Sequence, residues 1–187
     1  MNYRAVTYVL GKIFIVIGAL MLLPITVSLY YSENLTVAFL VPGMLLIFVG
    51  ILLVAFKPEK RSIYTKEGLV ICGFSWIIMS VFGALPFVIS DTIPAFVDAF
   101  FETCSGFSTT GATVLTDIEV LPKSVLFWRS FTHWIGGMGI LSFMIAIIPK
   151  SESHSMYLMK AEVPGPKAGK IVSKIQESAR ILYIIYC

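Results

Sequence analysis

The stretch ETCSGFSTTGATVL, Glu102 to Leu115, crowds small and hydroxylated residues around one glycine, Gly111, inside an otherwise oily chain. A segment with so little side chain cannot hold a core together by packing, so its backbone is either idle or the working part. The residues on either side decide between the two. Just before it, IPAFVDAFFETCSGF places Phe96, Ala99, Phe100 and Phe107 at roughly helical spacing, and Pro94 suits a helix start. The resulting helix, 94–105, is too short to cross ~30 Å of hydrocarbon but has the length of a re-entrant half-helix.

Longer apolar runs flank this segment. Gly68 to Ser90 is uncharged, with Pro86 near its far end, and Pro122 to Pro149 is charged only at Lys123 and Arg129; each predicts a spanning helix, over 68–90 and 122–149. Upstream, the uncharged runs Ile13–Tyr31 and Leu35–Phe56, parted by Ser32-Glu33-Asn34, predict an antiparallel hairpin. Pro24, Pro42 and Gly43 are tolerated in spanning helices, and Pro42-Gly43 is expected to bend the second. The run that ends in LYYSEN lacks the small-residue cleavage site of a signal peptide. The chain thereby divides into a two-helix hairpin (1–57), a helix-pore-helix unit (66–150) and a polar connector (151–187). The connector leads into ILYIIYC, read as the start of a further helix, so the sequence is expected to be part of a longer protein.

Composition agrees with an all-α polytopic membrane protein. Hydrophobic residues make up 57% and charged residues 13%, with a mean hydropathy of +0.88, whereas soluble domains carry about 25% charged residues. Twelve of the fourteen Lys and Arg fall on one side if the helices alternate, which places the amino terminus in the cytoplasm by the positive-inside tendency. These basic residues sit in short segments between apolar runs rather than forming a stripe with interleaved aromatics, which argues against nucleic-acid binding. The three cysteines form no ligand-spaced pair and are read as reduced structural residues. His133 has no catalytic companion at a recognisable spacing, so no enzyme is expected.

Non-helical backbone at membrane depth survives only when buried in protein or lining water, so a half-helix followed by GFSTTGAT implies an aqueous pathway. A dehydrated cation needs oxygen ligands, and a short strand over 108–113, free of bulky side chains, can turn successive carbonyls toward an axis. Gly111 supplies backbone freedom, and Thr109, Thr110 and Thr113 can add hydroxyls. The half-helix directs its negative dipole end toward the same place. Arg129 is expected to pair with Glu102 or Asp98 to hold the half-helix, since ionisable residues inside a membrane rarely stand alone. Gly136, Gly137 and Gly139 are read as sites of close packing, and Asp91, Asp117 and Glu119 as an acidic outer rim.

Five segments carry a family resemblance: GALPFVIS (83–90), DAFFETCSGFSTTGATVL (98–115), LPKSVLFWRSFTHWIGGMGI (121–140), AIIPK (146–150) and KAEVPGPK (160–167). In type and order they resemble the Trk/Ktr/HKT superfamily of potassium transporters, most closely its bacterial TrkH branch, over essentially the whole chain. The resemblance implies four helix-pore-helix units from one polypeptide around a single pore, each giving one filter strand with a central glycine. Here that strand is Thr109, Thr110, Gly111, Ala112 and Thr113. The potassium ligands would be the carbonyls of Thr110 and Gly111, then those of Thr109 and Ala112, with Thr113, Glu102 and Arg129 in support. The resemblance further implies potassium as the bound and transported ion with no cofactor, and a bacterial inner-membrane location. It also implies three further pore units of the same polypeptide, a TrkA-like cytoplasmic nucleotide-binding regulatory subunit, and a homodimer of the full-length protein. The alternative from another class is a non-transporting membrane scaffold whose half-helix merely packs.

Overall fold

A computed structural model describes residues 2–56 and 65–139 together with Ile184. The described residues form six helices and no strand: α1 (Tyr3–Leu20), α2 (Leu23–Tyr30), α3 (Thr36–Ala55), α4 (Thr65–Ile89), α5 (Phe96–Phe107) and α6 (Lys123–Met138). Three stretches, Tyr3–Tyr30, Thr36–Ala55 and Lys66–Ile89, are long and apolar enough to cross a membrane. The remainder of the expected 122–149 span, the polar connector and the last apolar run lie outside the described residues, apart from Ile184.

Helix α1 begins ten residues before the uncharged run does. Hydrocarbon length sets where a span must be apolar, whereas a helix begins where its first N–H groups find an acceptor, and the Asn2 side chain accepts from the Ala5 N–H at 3.2 Å. Lys12 is accommodated within α1, its ammonium 4.6 Å from the centre of the Tyr8 ring. The apolar stretch then breaks between α1 and α2. Pro24 has no N–H to give and its ring crowds the carbonyl one turn back, and the chain passes through a tighter turn in which Leu22 N donates to Ala19 O at 3.1 Å. By contrast, α3 runs through Pro42 and α4 through Pro86 as single helices.

The hairpin closes on glycines whose pairing the sequence reading does not give. Gly11 and Gly18 on α1 are seven residues apart, as are Gly43 and Gly50 on α3. Run antiparallel, Gly11 meets Gly50 and Gly18 meets Gly43. A Cβ built on Gly11 would lie 2.7 Å from the Gly50 carbonyl oxygen, and one on Gly18 would lie 2.6 Å from that of Gly43. Lipid gives helices no hydrophobic reason to associate, so backbone-to-backbone contact of this kind supplies the van der Waals energy instead.

Among the contacts that join the hairpin to the rest, two bear on α6. Trp128 of α6, fully buried, donates its indole N–H to the Gly83 carbonyl of α4 at 2.9 Å and meets Phe39 of α3 edge-on, ring centres 6.4 Å apart. Glu33, between α2 and α3, caps α6. The N-cap position of α6 is Pro122, which offers no side-chain acceptor. Instead the Glu33 carboxylate accepts from the Lys123 N–H, from the Ser124 N–H at 2.9 Å and from the Ser124 hydroxyl at 2.6 Å. Burial pushes the Glu33 carboxyl up, but the Ser124 hydroxyl, the two N–H donors and the nearby Lys123 charge outweigh it and hold the group below its ordinary value of 4.5.

Two outcomes follow from this packing. Gly18→Leu is expected to lower stability in detergent by about 1–3 kcal/mol, because the opposing atom is backbone and cannot rotate away. A carboxyl whose folded pKa is depressed stabilises above its unfolded value and loses that contribution as pH falls through the folded one. Glu33 should therefore contribute fully above 4.5 and progressively less below it. In Glu33→Gln, the fall in melting temperature between neutral pH and about pH 3.5 should be smaller than in the parent; an equal fall would remove Glu33 as its source.

Candidate functional site

Helix α5 carries Asp98 in its first turn, where a carboxylate suits the positive dipole end, and ends over Gly106 and Phe107. Its last turn closes through Ser108 N to Cys104 O at 2.9 Å, Thr109 N to Gly106 O at 3.0 Å and Thr110 N to Ser105 O at 3.0 Å. The last two bonds are those of a helix that terminates through a left-handed residue, and that residue is Thr109, with φ 55°. A β-branched residue there costs on the order of 1–3 kcal/mol and persists only where its surroundings over-determine it. Here the Ser108 hydroxyl meets both the Ser105 carbonyl, at 3.3 Å, and the Thr110 hydroxyl, at 2.8 Å. Gly111 follows with φ 78°, a conformation that glycine takes without penalty.

Three glycines seat α5 between α4 and α6. A Cβ on Gly83 of α4 would fall 2.7 Å from the Thr103 side chain, one on Gly106 would collide with the Thr132 hydroxyl, and one on Gly136 of α6 would collide with the Phe107 carbonyl. Of the three glycines read as close-packing positions, Gly136 makes this approach, Gly137 is exposed, and Gly139 follows the last residue of α6 with φ 67°.

Beyond Gly111 the chain turns back along α5 and is fastened to it at two levels. The Ser105 hydroxyl donates to the Ala112 carbonyl at 2.6 Å. One turn earlier, Glu102 Oε2 accepts from the Thr113 hydroxyl at 2.8 Å and from the Val114 N–H at 3.0 Å. The other oxygen of Glu102 meets Arg129 Nε of α6 at 2.7 Å. Glu102 is 1% exposed at its side chain and Arg129 15%, so the pair is shielded from water. Of the two carboxylates considered as partners for Arg129, Glu102 makes the contact, while Asp98 is exposed. His133 Nδ1 lies 3.0 Å from the Arg129 carbonyl on its own helix.

Apart from the Thr109 hydroxyl, the loop presents backbone oxygens. The Thr113 hydroxyl is given to Glu102 and that of Thr110 is paired with Ser108. The carbonyls of Thr109, Thr110 and Gly111 accept no hydrogen bond from any described residue, and all three residues are exposed. No cluster of three His, Cys, Asp or Glu side chains able to hold a metal occurs among the described residues. Sequence reasoning passed over Thr109 as a left-handed residue, because threonine avoids that conformation. It also passed over Ser105, whose signal was its place one turn from Glu102 on the same face of a short helix.

The sequence profile of the TrkH family, described as cation transport protein, matches residues 34–187. The chain is 38% identical to the Trk system potassium uptake protein TrkH of Salmonella typhimurium, over 100% of this chain and 39% of that protein. It is 39% identical to an uncharacterized cation transporter of Methanocaldococcus jannaschii, over 86% of this chain and 34% of that one. Among solved structures, the potassium transporter TrkH from Vibrio parahaemolyticus superposes with a TM-score of 0.77 at 31% identity, covering 100% of this chain and 37% of that one. The chain thus spans well under half the length of these relatives.

Removing one member of a shielded ion pair strands the other. Glu102→Gln and Arg129→Gln should each lower stability by about 2–4 kcal/mol, and the double variant should lose at least about 1 kcal/mol less than their sum. Strict additivity in thermal unfolding would show that the contact carries no energy.

Proposed function

The chain belongs to the TrkH family of cation transport proteins, and from that premise we propose that it supplies one filter strand of a potassium-uptake pathway. It is a multi-pass membrane protein and not an enzyme. The observation that carries the reading is the loop after α5, where the carbonyls of Thr109, Thr110 and Gly111 are exposed without donors from described residues while the next residues are fastened to the helix behind them. Carbonyl oxygens in such a line replace the water that a potassium ion sheds on entry. Thr110 and Gly111 act as the principal ligands, with Thr109 beside them. Glu102, Arg129 and Thr113 hold the strand from behind.

One strand coordinates an ion from one side only. The remaining ligands come from three further pore units of the same polypeptide, arranged about a common axis. The ion moves inward across a bacterial inner membrane whose potential favours cation entry by about 2.3 kcal/mol per charge per 100 mV. The amino terminus lies in the cytoplasm, where a TrkA-like nucleotide-binding subunit regulates a homodimer of the complete protein.

Gly111→Ser in the complete transporter tests the reading. A side chain in a left-handed conformation costs roughly 1–2 kcal/mol, so the strand should distort and potassium-over-sodium preference in uptake should fall on the order of tenfold. Assembly in detergent should persist, since a Cβ at Gly111 meets nothing within 4 Å. Unchanged selectivity would remove Gly111 from the filter, and a parent protein that moves no cation at all would leave a scaffold instead.

A further inference from the structure

Ser105 touches the ion-facing loop at both of its ends. Its carbonyl accepts from the Thr110 N–H at 3.0 Å, and its hydroxyl donates to the Ala112 carbonyl at 2.6 Å. The carbonyl of Thr110 and all of Gly111 lie between these two attachments. One buried residue at the end of α5 therefore spans the turn from which the principal ligands project. The side chain is short, so the two attachments cannot drift apart, and Gly111 alone has the backbone freedom to close the span.

The Ala112 carbonyl is treated differently from its neighbours. Those of Thr109, Thr110 and Gly111 accept from no described residue, whereas Ala112 is drawn back onto the helix. We propose that Ser105 is a positioning residue for selectivity, whose hydroxyl withdraws the Ala112 carbonyl from the ion and fixes the orientation of the Ala112–Thr113 peptide. The inference rests on the transport reading above and sharpens it, since Ala112 then belongs to the strand's support and not to its ligands. A smaller ion draws its oxygens closer than potassium does. A loop pinned on both sides of Gly111 resists that contraction, whereas one released at Ala112 yields to it and can turn an additional oxygen inward.

The test measures the potassium-over-sodium preference of cation uptake by the complete transporter in vesicles, alongside its melting temperature in detergent. Ser105→Ala removes the donor and should lower the preference about three- to tenfold while cation flux persists. Ser105→Thr keeps the hydroxyl and should restore the parent value. Unchanged preference in Ser105→Ala, together with reduced preference in Gly111→Ser, overturns the positioning role and leaves the transport reading standing. Unchanged preference in both variants defeats the filter reading of the loop as well. An equal loss in Ser105→Ala and Ser105→Thr also overturns the positioning role, because it would follow the shape of the side chain and not its hydroxyl. Should Ser105→Ala fail to assemble, Ser105→Cys, of similar size and a weaker donor, decides by the same ratio: lowered supports the inference, unchanged overturns it.

Discussion

The arrangement depends on one carboxylate. Glu102 is buried near the middle of a helix too short to span, and a charge there is tolerable only with its lone pairs filled. Arg129 fills one side of it; the Thr113 hydroxyl and the Val114 N–H fill the other. Each partner belongs to a different part of the chain, α6 in one case and the returning loop in the other. Satisfying one charge therefore positions a short helix, a long helix and an irregular strand together. A hydrophobic residue of similar volume at this place could pack against α6 but would leave the loop without its attachments at Thr113 and Val114. A buried ion pair is weak evidence for stability in general, and here it is better understood as a device that specifies geometry.

The second constraint is distance. Helices in a lipid environment gain from approaching closely, and this chain does so at glycines, along α1 against α3 and again where α5 lies between α4 and α6. At Gly136 the approach brings α6 onto the Phe107 carbonyl at the end of α5, close to the residue where the loop begins. Arg129 sits two turns earlier on the same helix. The helix that delivers the guanidinium is thus seated by its own lack of a side chain further along. Trp128, next to Arg129, fixes the rotation of α6 by its bond to Gly83. At the start of that helix Glu33 supplies the cap that Pro122 cannot, so the hairpin takes part in orienting α6 and the loop fastened beside it.

Much of this was legible in the sequence, because hydrocarbon thickness turns apolar run length into a prediction of crossing. The apolar runs announced the hairpin and α4, and the small residues around Gly111 announced a loop whose backbone matters. Arg129 needed a carboxylate partner, and residue type alone left Glu102 and Asp98 both open. The choice was settled by which helix face is turned inward, and Glu102 is buried where Asp98 is exposed. Other features depend on three-dimensional proximity and left no local signal. Glu33 is ninety residues from the N–H group it caps at Lys123. Gly11 and Gly50 look ordinary until an antiparallel pairing brings them together. Thr109 in a left-handed turn contradicts its own propensity, and such conflicts between local preference and global fold concentrate where function imposes them.

The helix dipole, which first suggested cation binding, has a smaller share in the site than the loop. The terminal carbonyls of α5 are largely occupied by their own chain: Cys104 by Ser108, Gly106 by Thr109, and Ser105 by both Thr110 and Ser108. Closing the helix in this way spends much of the partial negative charge that an open C-terminus would expose. The oxygens left over lie further on, at Thr109, Thr110 and Gly111, where none accepts a hydrogen bond from a described residue. On the proposed reading, stabilisation of a cation shifts from a diffuse end-of-helix field, which acts on any positive charge, to individual oxygens whose spacing can distinguish one ion from another. That shift requires the strained Thr109 turn, since a helix that simply frayed at Phe107 would leave its carbonyls pointing along the axis and the following residues without a fixed place.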